Sequence, residues 1–402
     1  MKINLFNKRS KNISIPFDYF NTLQVYSGLD ESNNVVVFCS QLIKNVVSSL
    51  PIILYYKGKD GEKRIAGWHN LYRIVKYKPN IYEPSVSFYS LLVSDLIKYG
   101  NTFIYKVKDT NGNISQLIRI DPEIVKIKVS NFNKYFEIGG KEYTIQDIVH
   151  IPASLGYDGV QGKGVLEYAK NTIATSNEVQ NFLRFIFNNS FFSKLKLNLN
   201  DSDYRNLDIN KIKEILDFFS YLFSGQNLGK PLTEFKGVRI ETIEHKNNTD
   251  ELYKNREFLD RQICNFFNVP YELLSGQNKY NSVEQFNQFF IQTCLNQYTD
   301  RIAQYFNQFL LTELEQQNYF FEFEFTELLT TDVEKYSNML INQLKNGIIS
   351  INEARQKLNM NKIDNNAANT NFIIGVGIVK DDVFESWGAK SKMIQKEIEQ
   401  NE

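Results

Sequence analysis

The chain has 402 residues, 42% of them hydrophobic and 23% charged, which is enough apolar material for a core and places it outside the disordered class. Its 46 Lys and Arg offset 46 Asp and Glu, so a broad basic surface for gripping nucleic acid is not expected, because counterion release needs a local excess of cations. No apolar run approaches the ~18 residues of a membrane helix, no hydrophobic segment follows Lys2, Lys8, Arg9 and Lys11, and Cys39, Cys264 and Cys294 are widely spaced, so the expectation is a chain of two or three units, made in a cytoplasm, with buried thiols.

The first part, to about residue 160, reads as mixed α and β. Val35 to Leu50 carries a helical stripe through Val36, Val37, Leu42, Val46 and Val47 and stops at Pro51. A strand from Ile52 to Tyr56 and a turn over Lys57 to Gly61 follow. Pro84 to Tyr99 predicts an amphipathic helix, ended by Gly100-Asn101. Thr102 to Lys108 and Ile114 to Ile120 flank the turn sequence Asp109 to Asn113, a hairpin pattern. Strands at Ile124 to Val129, Tyr135 to Ile138 and Asp147 to Ile151 complete one small sheet.

From Val165 the periodicity lengthens. Leu166, Ala169, Ile173, Val179, Phe182, Leu183 and Ile186 predict one helix to Asn189, roughly 35 Å long. Ser193 to Leu199 is a strand, Ile209 to Phe223 a helix, Val238 to Ile243 a strand and Leu252 to Phe267 a helix stopped by Val269-Pro270. Ser282 to Leu314 reads as one long helix or two in line, and Tyr319 to Phe325 alternates Phe with Glu as a half-buried strand. Helices at Val333 to Lys345 and Ile351 to Leu358 flank Gly347, with Ser350 and Glu353 spaced as a capping box. Beyond Asn359 the tail is rich in Asn.

Chemistry is hard to place on this pattern. Gly156-Tyr-Asp-Gly-Val-Gln-Gly162-Lys163-Gly164 lies where a phosphate-binding loop would sit, but Tyr157 takes the place of the required glycine and Gly164 that of the magnesium-binding hydroxyl. A flexible strand-to-helix connection is the plainer expectation. His69, His150 and His245 have no second ligand at helical metal spacing, and the acid pairs Asp201/Asp203 and Asp381/Asp382 sit in turn-like sequence. No catalytic residue, cofactor or metal is assigned. The long helix bears an uncharged polar face, Gln285, Asn287, Gln288, Gln292, Asn296, Gln297, Gln304, Asn307 and Gln308. Such a face suits a surface that passes a polyanion without holding it, and it also suits a composition biased toward Asn, Lys and Ile.

Several blocks taken in order resemble a known family. These are Lys78-Pro79-Asn80, Tyr99-Gly100-Asn101-Thr102-Phe103, Asp121-Pro122-Glu123, Asp147-Ile-Val-His150-Ile151, Val269-Pro270-Tyr-Glu-Leu-Leu274-Ser-Gly276, Tyr280-Asn281-Ser282-Val283-Glu284-Gln285 and Gly347-Ile-Ile-Ser350-Ile-Asn352-Glu353-Ala-Arg355. Together, over about residues 30 to 360, they resemble the portal proteins of tailed bacteriophages, of the siphophage and prophage type. The departure is Gly162-Lys163-Gly164-Val165, where the family usually has Ser-Pro, and the glycines are expected to leave the start of the next helix less fixed.

The resemblance implies an α+β portal fold. Residues 1–160 would form a mixed wing, 161–190 a first stem helix, 191–249 a small clip and 250–270 a second stem helix. Residues 271–332 would hold a tunnel loop, the long helix and a returning wing strand, and 333–402 a helical crown and tail. It further implies a homo-oligomeric ring of about twelve subunits in the virion, at one capsid vertex. Its partners would be the terminase large subunit, a head-tail adaptor, the major capsid protein or scaffold, and double-stranded DNA in the channel, with no membrane. Gln277, Asn278, Lys279, Tyr280 and Asn281 would approach that DNA, while Asn101, His150, Val269, Pro270, Gly347, Asn352, Glu353 and Arg355 carry the family motifs. An adaptor ring of the head-tail connector, or a nucleotide-dependent DNA-processing enzyme using the Gly156 to Gly164 loop, are the competing expectations.

Overall fold

The computed structural model describes residues 33–58, 62–130, 133–156, 159–189, 194–199, 213–214, 217, 238–243, 249–276, 283–325, 328, 333–358, 360–369 and 371. The chain divides into two compact units, Met1–Lys279 with Phe290–Phe323 and Tyr280–Phe289 with Glu324–Glu402.

In the first unit, α1 (Asn34–Ser49) starts at Asn33, whose side chain accepts from Val35 N and Val36 N. That same amide donates to Ser176 Oγ at 3.1 Å and Asn177 Oδ1 at 3.0 Å, so the cap also ties α1 to the long helix α4 described below. Val36, Cys39, Ile43 and Val47 are fully buried along one face. β1 (Ile52–Lys57) then takes the middle of a three-stranded sheet, with β2 (Lys63–Ile65) on one edge and β13 (Tyr319–Phe323) on the other. The β1/β13 register runs from Ile52 opposite Phe323 to Tyr56 opposite Tyr319. A short helix not expected from the pattern, α2 (Asn70–Lys76), follows, capped by His69 Nδ1, which accepts from Leu71 N at 3.2 Å.

α3 (Ser85–Lys98) buries Phe88, Leu92, Leu96 and Ile97 and packs on α1. Tyr89 on this helix is buried, and its hydroxyl donates to Val75 O at 2.9 Å. β3 (Asn101–Lys108) and β4 (Ile114–Ile120) form the expected hairpin, its turn held by Asp109 Oδ1 accepting from Asn111 N and Asn113 N.

The expectation of one small sheet needs correction. β8 (Ile148–Pro152) pairs with β3, giving the order β4-β3-β8, while β5 (Val125–Ser130), β6 (Asn133–Ile138) and β7 (Lys141–Thr144) form a separate meander. The turn at Asp121-Pro122, where Asp121 Oδ1 accepts from Glu123 N, redirects the chain between them. Apolar side chains of both sheets, Phe103, Ile120 and Ile148 with Phe136, Ile138 and Tyr143, share one buried cluster.

After the short strands β9 (Ser154–Leu155) and β10 (Gly162–Lys163) comes α4 (Val165–Asn189). β11 (Lys194–Leu199) and β12 (Val238–Ile243) pair antiparallel, and α5 (Thr249–Phe266) returns to pack along α4. Of the helix expected over Ile209 to Phe223, only 213, 214 and 217 are described, and they are helical. A four-residue helix, α6 (Glu272–Ser275), follows α5.

The long helical run appears as α7 (Val283–Phe290), a π turn at Ile291–Leu295 and α8 (Asn296–Phe309). It stops before Leu314. Gln316 Nε2 donates to Gln308 O and Leu311 O, and Lys106 Nζ donates to Phe309 O at 3.0 Å, so side chains take the carbonyls a further turn would have used. Lys106 is buried, and desolvation pulls its pKa down to about 8. α8 packs against β13 and β8, with Phe306 and Phe323 beside Tyr89. In the second unit α9 (Val333–Lys345) and α10 (Ile351–Lys357) bury Leu340, Ile349 and Ala354 together.

Candidate functional site

Asn101 and His150 lie on neighbouring strands, two rungs apart in a register that sets Asn101 opposite Pro152 and Phe103 opposite His150. His150 Nε2 lies 2.9 Å from Asn101 Oδ1, an oxygen that also accepts from Gly162 N at 2.8 Å. Asn101 Nδ2 donates to Gly162 O at 2.8 Å and Tyr99 O at 3.0 Å, so the amide orientation is set by its partners. Nε2 must then carry the histidine proton. That leaves Nδ1 to accept from Lys134 Nζ at 2.8 Å, and the same ammonium donates to Val160 O at 3.0 Å. Burial and the Lys134 charge press His150 down to a pKa of about 3, so the ring is neutral near pH 7. It stacks on Phe103 with centroids 4.6 Å apart. Among the described residues no group of His, Cys, Asp and Glu could hold a metal ion.

One strand residue away, Thr102 Oγ1 donates to Asp95 Oδ2 at 3.1 Å. Arg119 makes a fork onto the same carboxylate, with Nε to Oδ2 and Nη2 to Oδ1 both at 2.7 Å, and both residues are buried. Asp95 also works through its backbone, whose carbonyl accepts from Tyr99 N and Gly100 N.

The glycine loop closes this joint. Gly100 sits at φ +70°, and a Cβ there would lie 2.2 Å from Lys163 C. A Cβ on Gly162 would meet Gly100 O at 2.1 Å, and one on Gly164 would meet Ile97 O and Lys98 O at 2.6 Å. The segment is therefore pressed backbone to backbone against the end of α3. The expectation that Gly162 and Gly164 loosen the start of α4 is overturned: the absence of side chains is what lets these two residues seat. Three of the loop's glycine amides are engaged within the protein: Gly156 N donates to Gln161 O, Gly159 N to Gly156 O and Gly162 N to Asn101 Oδ1. Lys163 pairs with Glu167 at 3.0 Å. From α8, Arg301 Nη1 donates to Pro152 O at 3.0 Å and to Ala153 O, fixing the end of β8.

The second motif region lies at the end of α5. Asn268 adopts φ +55°, and Val269 N reaches back to Cys264 O at 2.9 Å, a left-handed cap that ends the helix before Pro270 is reached. The expectation that Pro270 itself makes the stop is refined accordingly. Val269 and Pro270 are buried, and the Arg261 guanidinium covers the Tyr271 ring at 4.6 Å. α6 ends at Gly276, φ +70°. The DNA-contact candidates Gln277, Asn278, Lys279, Tyr280 and Asn281 lie outside the described residues, as do His245, Asp201, Asp203, Asp381 and Asp382.

In the second unit Gly347, φ +71°, ends α9. Ser350 and Glu353 form the capping box, with Glu353 N to Ser350 Oγ at 3.2 Å and Ser350 N to Glu353 Oε2 at 2.8 Å. Asn352 is buried and bonds Ile363 through both amide atoms, and Arg355 Nε donates to Asn361 O at 2.7 Å. The uncharged face of the long helix is partly structural. Asn287 Nδ2 donates to Leu328 O and Asn307 Nδ2 to Phe321 O, whereas Gln288, Gln292, Gln304 and Gln308 are exposed. His69, seen only as an isolated histidine in the sequence, caps α2 and contacts Glu315 Oε1 at 3.0 Å.

The profile of the family described as phage portal protein matches residues 34–359, most of the chain. The chain belongs to the phage portal protein family. Relatives include the portal protein of Enterobacteria phage HK97, 21% identical over 80% of this chain and 77% of that protein, and the portal protein of Escherichia phage T5, 22% identical over 87% and 85%. The fold is similar to that of an HK97-family phage portal protein from Corynebacterium diphtheriae, with a TM-score of 0.56 at 15% identity over 74% of this chain and 95% of that one. It is also similar to a chain in the neck of an empty gene transfer agent particle, with a TM-score of 0.58 at 15% identity over 83% and 91%. The portal family is structural rather than enzymatic. Within this portal chain, the Asn101 and His150 blocks make one clamp, and the Asn352, Glu353 and Arg355 block makes another.

Proposed function

We propose that this chain is a portal subunit, assembling with copies of itself into a closed ring at one capsid vertex through which DNA is packaged and ejected. The family match across residues 34–359 carries this reading. A related neck particle, reconstructed with C12 symmetry, supports a ring of twelve. A closed ring needs heterologous contacts between unlike surfaces of neighbouring copies. On this reading residues 1–160 form the wing, α4 and α5 the stem, 191–249 the clip that meets the terminase large subunit and later the head-tail adaptor, and 333–402 the crown. The wing adjoins the major capsid protein or scaffold, and the subunit resides in the virion. Gln277 to Asn281 form a loop that touches DNA, and a chain of zero net charge suits a conduit, since tight phosphate binding would hold the cargo in place.

Mass photometry and negative-stain microscopy test this directly. Rings with an axial hole and a mass near twelve times 47.0 kDa are expected. A chain that stays monomeric when co-expressed with its scaffold and capsid proteins overturns the reading. Deleting residues 277–280 should leave rings intact while impairing DNA packaging or retention; normally filled, stable heads would remove the loop from the mechanism.

A further inference from the structure

Cys39 and Cys264 are separated by 225 residues, yet their Sγ atoms lie 3.8 Å apart, and neither residue has exposed surface. Cys39 is on α1 and Cys264 near the end of α5, so the pair bridges two helices that pack together. A disulfide would bring the two sulfurs from this contact to ~2.05 Å. The third thiol, Cys294 in the π turn, is engaged elsewhere, donating to Phe267 O at 3.6 Å. The three cysteines are free in the reduced protein.

We propose that Cys39 and Cys264 are a modification site, a dithiol that hydrogen peroxide converts to a disulfide locking α1 to α5. The Cys264 sulfur attacks one peroxide oxygen, the O–O bond breaks, and the departing oxygen takes the thiol proton and leaves as water. Cys264 is then a sulfenic acid. The Cys39 sulfur attacks the Cys264 sulfur, the S–S bond forms as the S–O bond breaks, and the expelled hydroxide leaves as a second water with the Cys39 proton. Two electrons pass from the thiols to the peroxide. Cys39 is the resolving partner, because its hydrogen bond with Cys264 and its burial push its pKa up and keep it a thiol. Access comes by local opening of the helix layer, which a molecule the size of hydrogen peroxide needs only briefly.

The lock would act on a particular place. α5 ends in the left-handed cap at Asn268 and the turn that leads to α6, and α1 begins at the Asn33 clamp onto α4. A covalent tie between them holds that turn to the helix layer and closes a long loop in the unfolded chain, so the oxidised protein should melt at a higher temperature. The inference stands on the thiol geometry alone and does not require the ring.

The test uses the folded full-length protein treated with hydrogen peroxide, alkylated, digested without reduction and analysed by mass spectrometry. The expected product is the Cys39 peptide joined to the Cys264 peptide, with Cys294 recovered alkylated, the link reversed by dithiothreitol, and melting raised by several degrees. Cys294→Ala should keep the link. Cys39→Ala should leave a sulfenic acid on Cys264 that dimedone traps. A pair that stays reduced while peroxide oxidises an added surface thiol, or a link through Cys294, overturns the proposal. The unmodified chain alone decides this, so a variant that folds poorly does not obscure the answer.

Discussion

The start of α4 and the end of α5 are turns of similar size made by different means. At the start of α4, Gly162 and Gly164 lie against Gly100 and the last carbonyls of α3, and the polar groups that hold them come from Asn101, His150 and Lys134. Arg301 secures the adjoining strand end from more than a hundred residues away. At the end of α5 the contributors that close the turn are mostly local, Asn268 in the left-handed region, Val269 N on Cys264 O, and Arg261 over Tyr271, with Cys294 Sγ on Phe267 O added from the π turn. A turn built from distant contacts has no slack, because each partner is fixed by its own sheet or helix. A turn built locally adjusts with its own helix and tolerates more.

The largest effects should therefore fall at the first turn. Gly162→Ala places a Cβ 2.1 Å from Gly100 O, backbone against backbone, so a loss of about 4 kcal/mol or more is expected, or failure to fold. Chemical denaturation of Gly162→Ala beside Gly112→Ala checks it, since Gly112 has a positive φ, +85°, with nothing within 4 Å of a Cβ, whereas Gly162 has the close approach without a positive φ. Equal losses at the two sites would mean that the close approach at Gly162 costs no more than a strained positive φ in open space. Arg119→Met comes next. It strands the buried Asp95 carboxylate, which Thr102 also bonds, without its guanidinium fork, and should cost about 3 kcal/mol. The double variant Asp95→Asn with Arg119→Met should recover part of that loss, which a purely steric role for Arg119 would not allow.

His150 gives the same turn a pH dependence. Its folded pKa, about 3, lies below the ordinary value of 6.5, so the unfolded chain binds the proton first as pH falls. Stability from this group is present above pH 6.5 and is lost toward pH 3, at up to about 1.4 kcal/mol per pH unit. Lys134 faces the ring and Asn101 accepts from it, so protonation also breaks the Lys134 bond. Urea unfolding at pH 7 and pH 4.5 should show a smaller difference for His150→Gln than for the parent chain. An unchanged difference would place the acid sensitivity elsewhere.

What the sequence could disclose follows the same division. α3 was legible because Phe88, Leu92 and Leu96 repeat at helical spacing and Gly100 stops them, and the capping box at Ser350 is a local pattern that the structure reproduces. α2 was hidden, since a seven-residue helix shows barely two turns of periodicity and its cap is a histidine, outside the usual capping residues. β13 was legible as a strand from its alternation, but its pairing with β1 was not, because register with a distant strand is a tertiary fact. Gly162 and Gly164 show the cost of judging a loop by spacing alone: their composition suggested freedom, and only the neighbouring backbone reveals that they are clamped. Cys39 and Cys264 likewise look unrelated until α1 and α5 are side by side.

The smallest effect sharpens the comparison from the other side. Asn268 holds φ +55°, a conformation that costs an ordinary L-residue roughly 1 kcal/mol and a glycine almost nothing. Asn268→Ala should therefore lower stability by about 1 kcal/mol, and Asn268→Gly should be neutral within about 0.5 kcal/mol, both read from thermal and urea unfolding. Glycine restores the backbone freedom but no side chain, so this pair of variants asks whether the turn before the loop needs conformation alone. If Asn268→Gly is as damaging as Asn268→Ala, the asparagine amide makes a contact of its own, and the end of α5 resembles the start of α4 more closely than its local hydrogen bonds suggest.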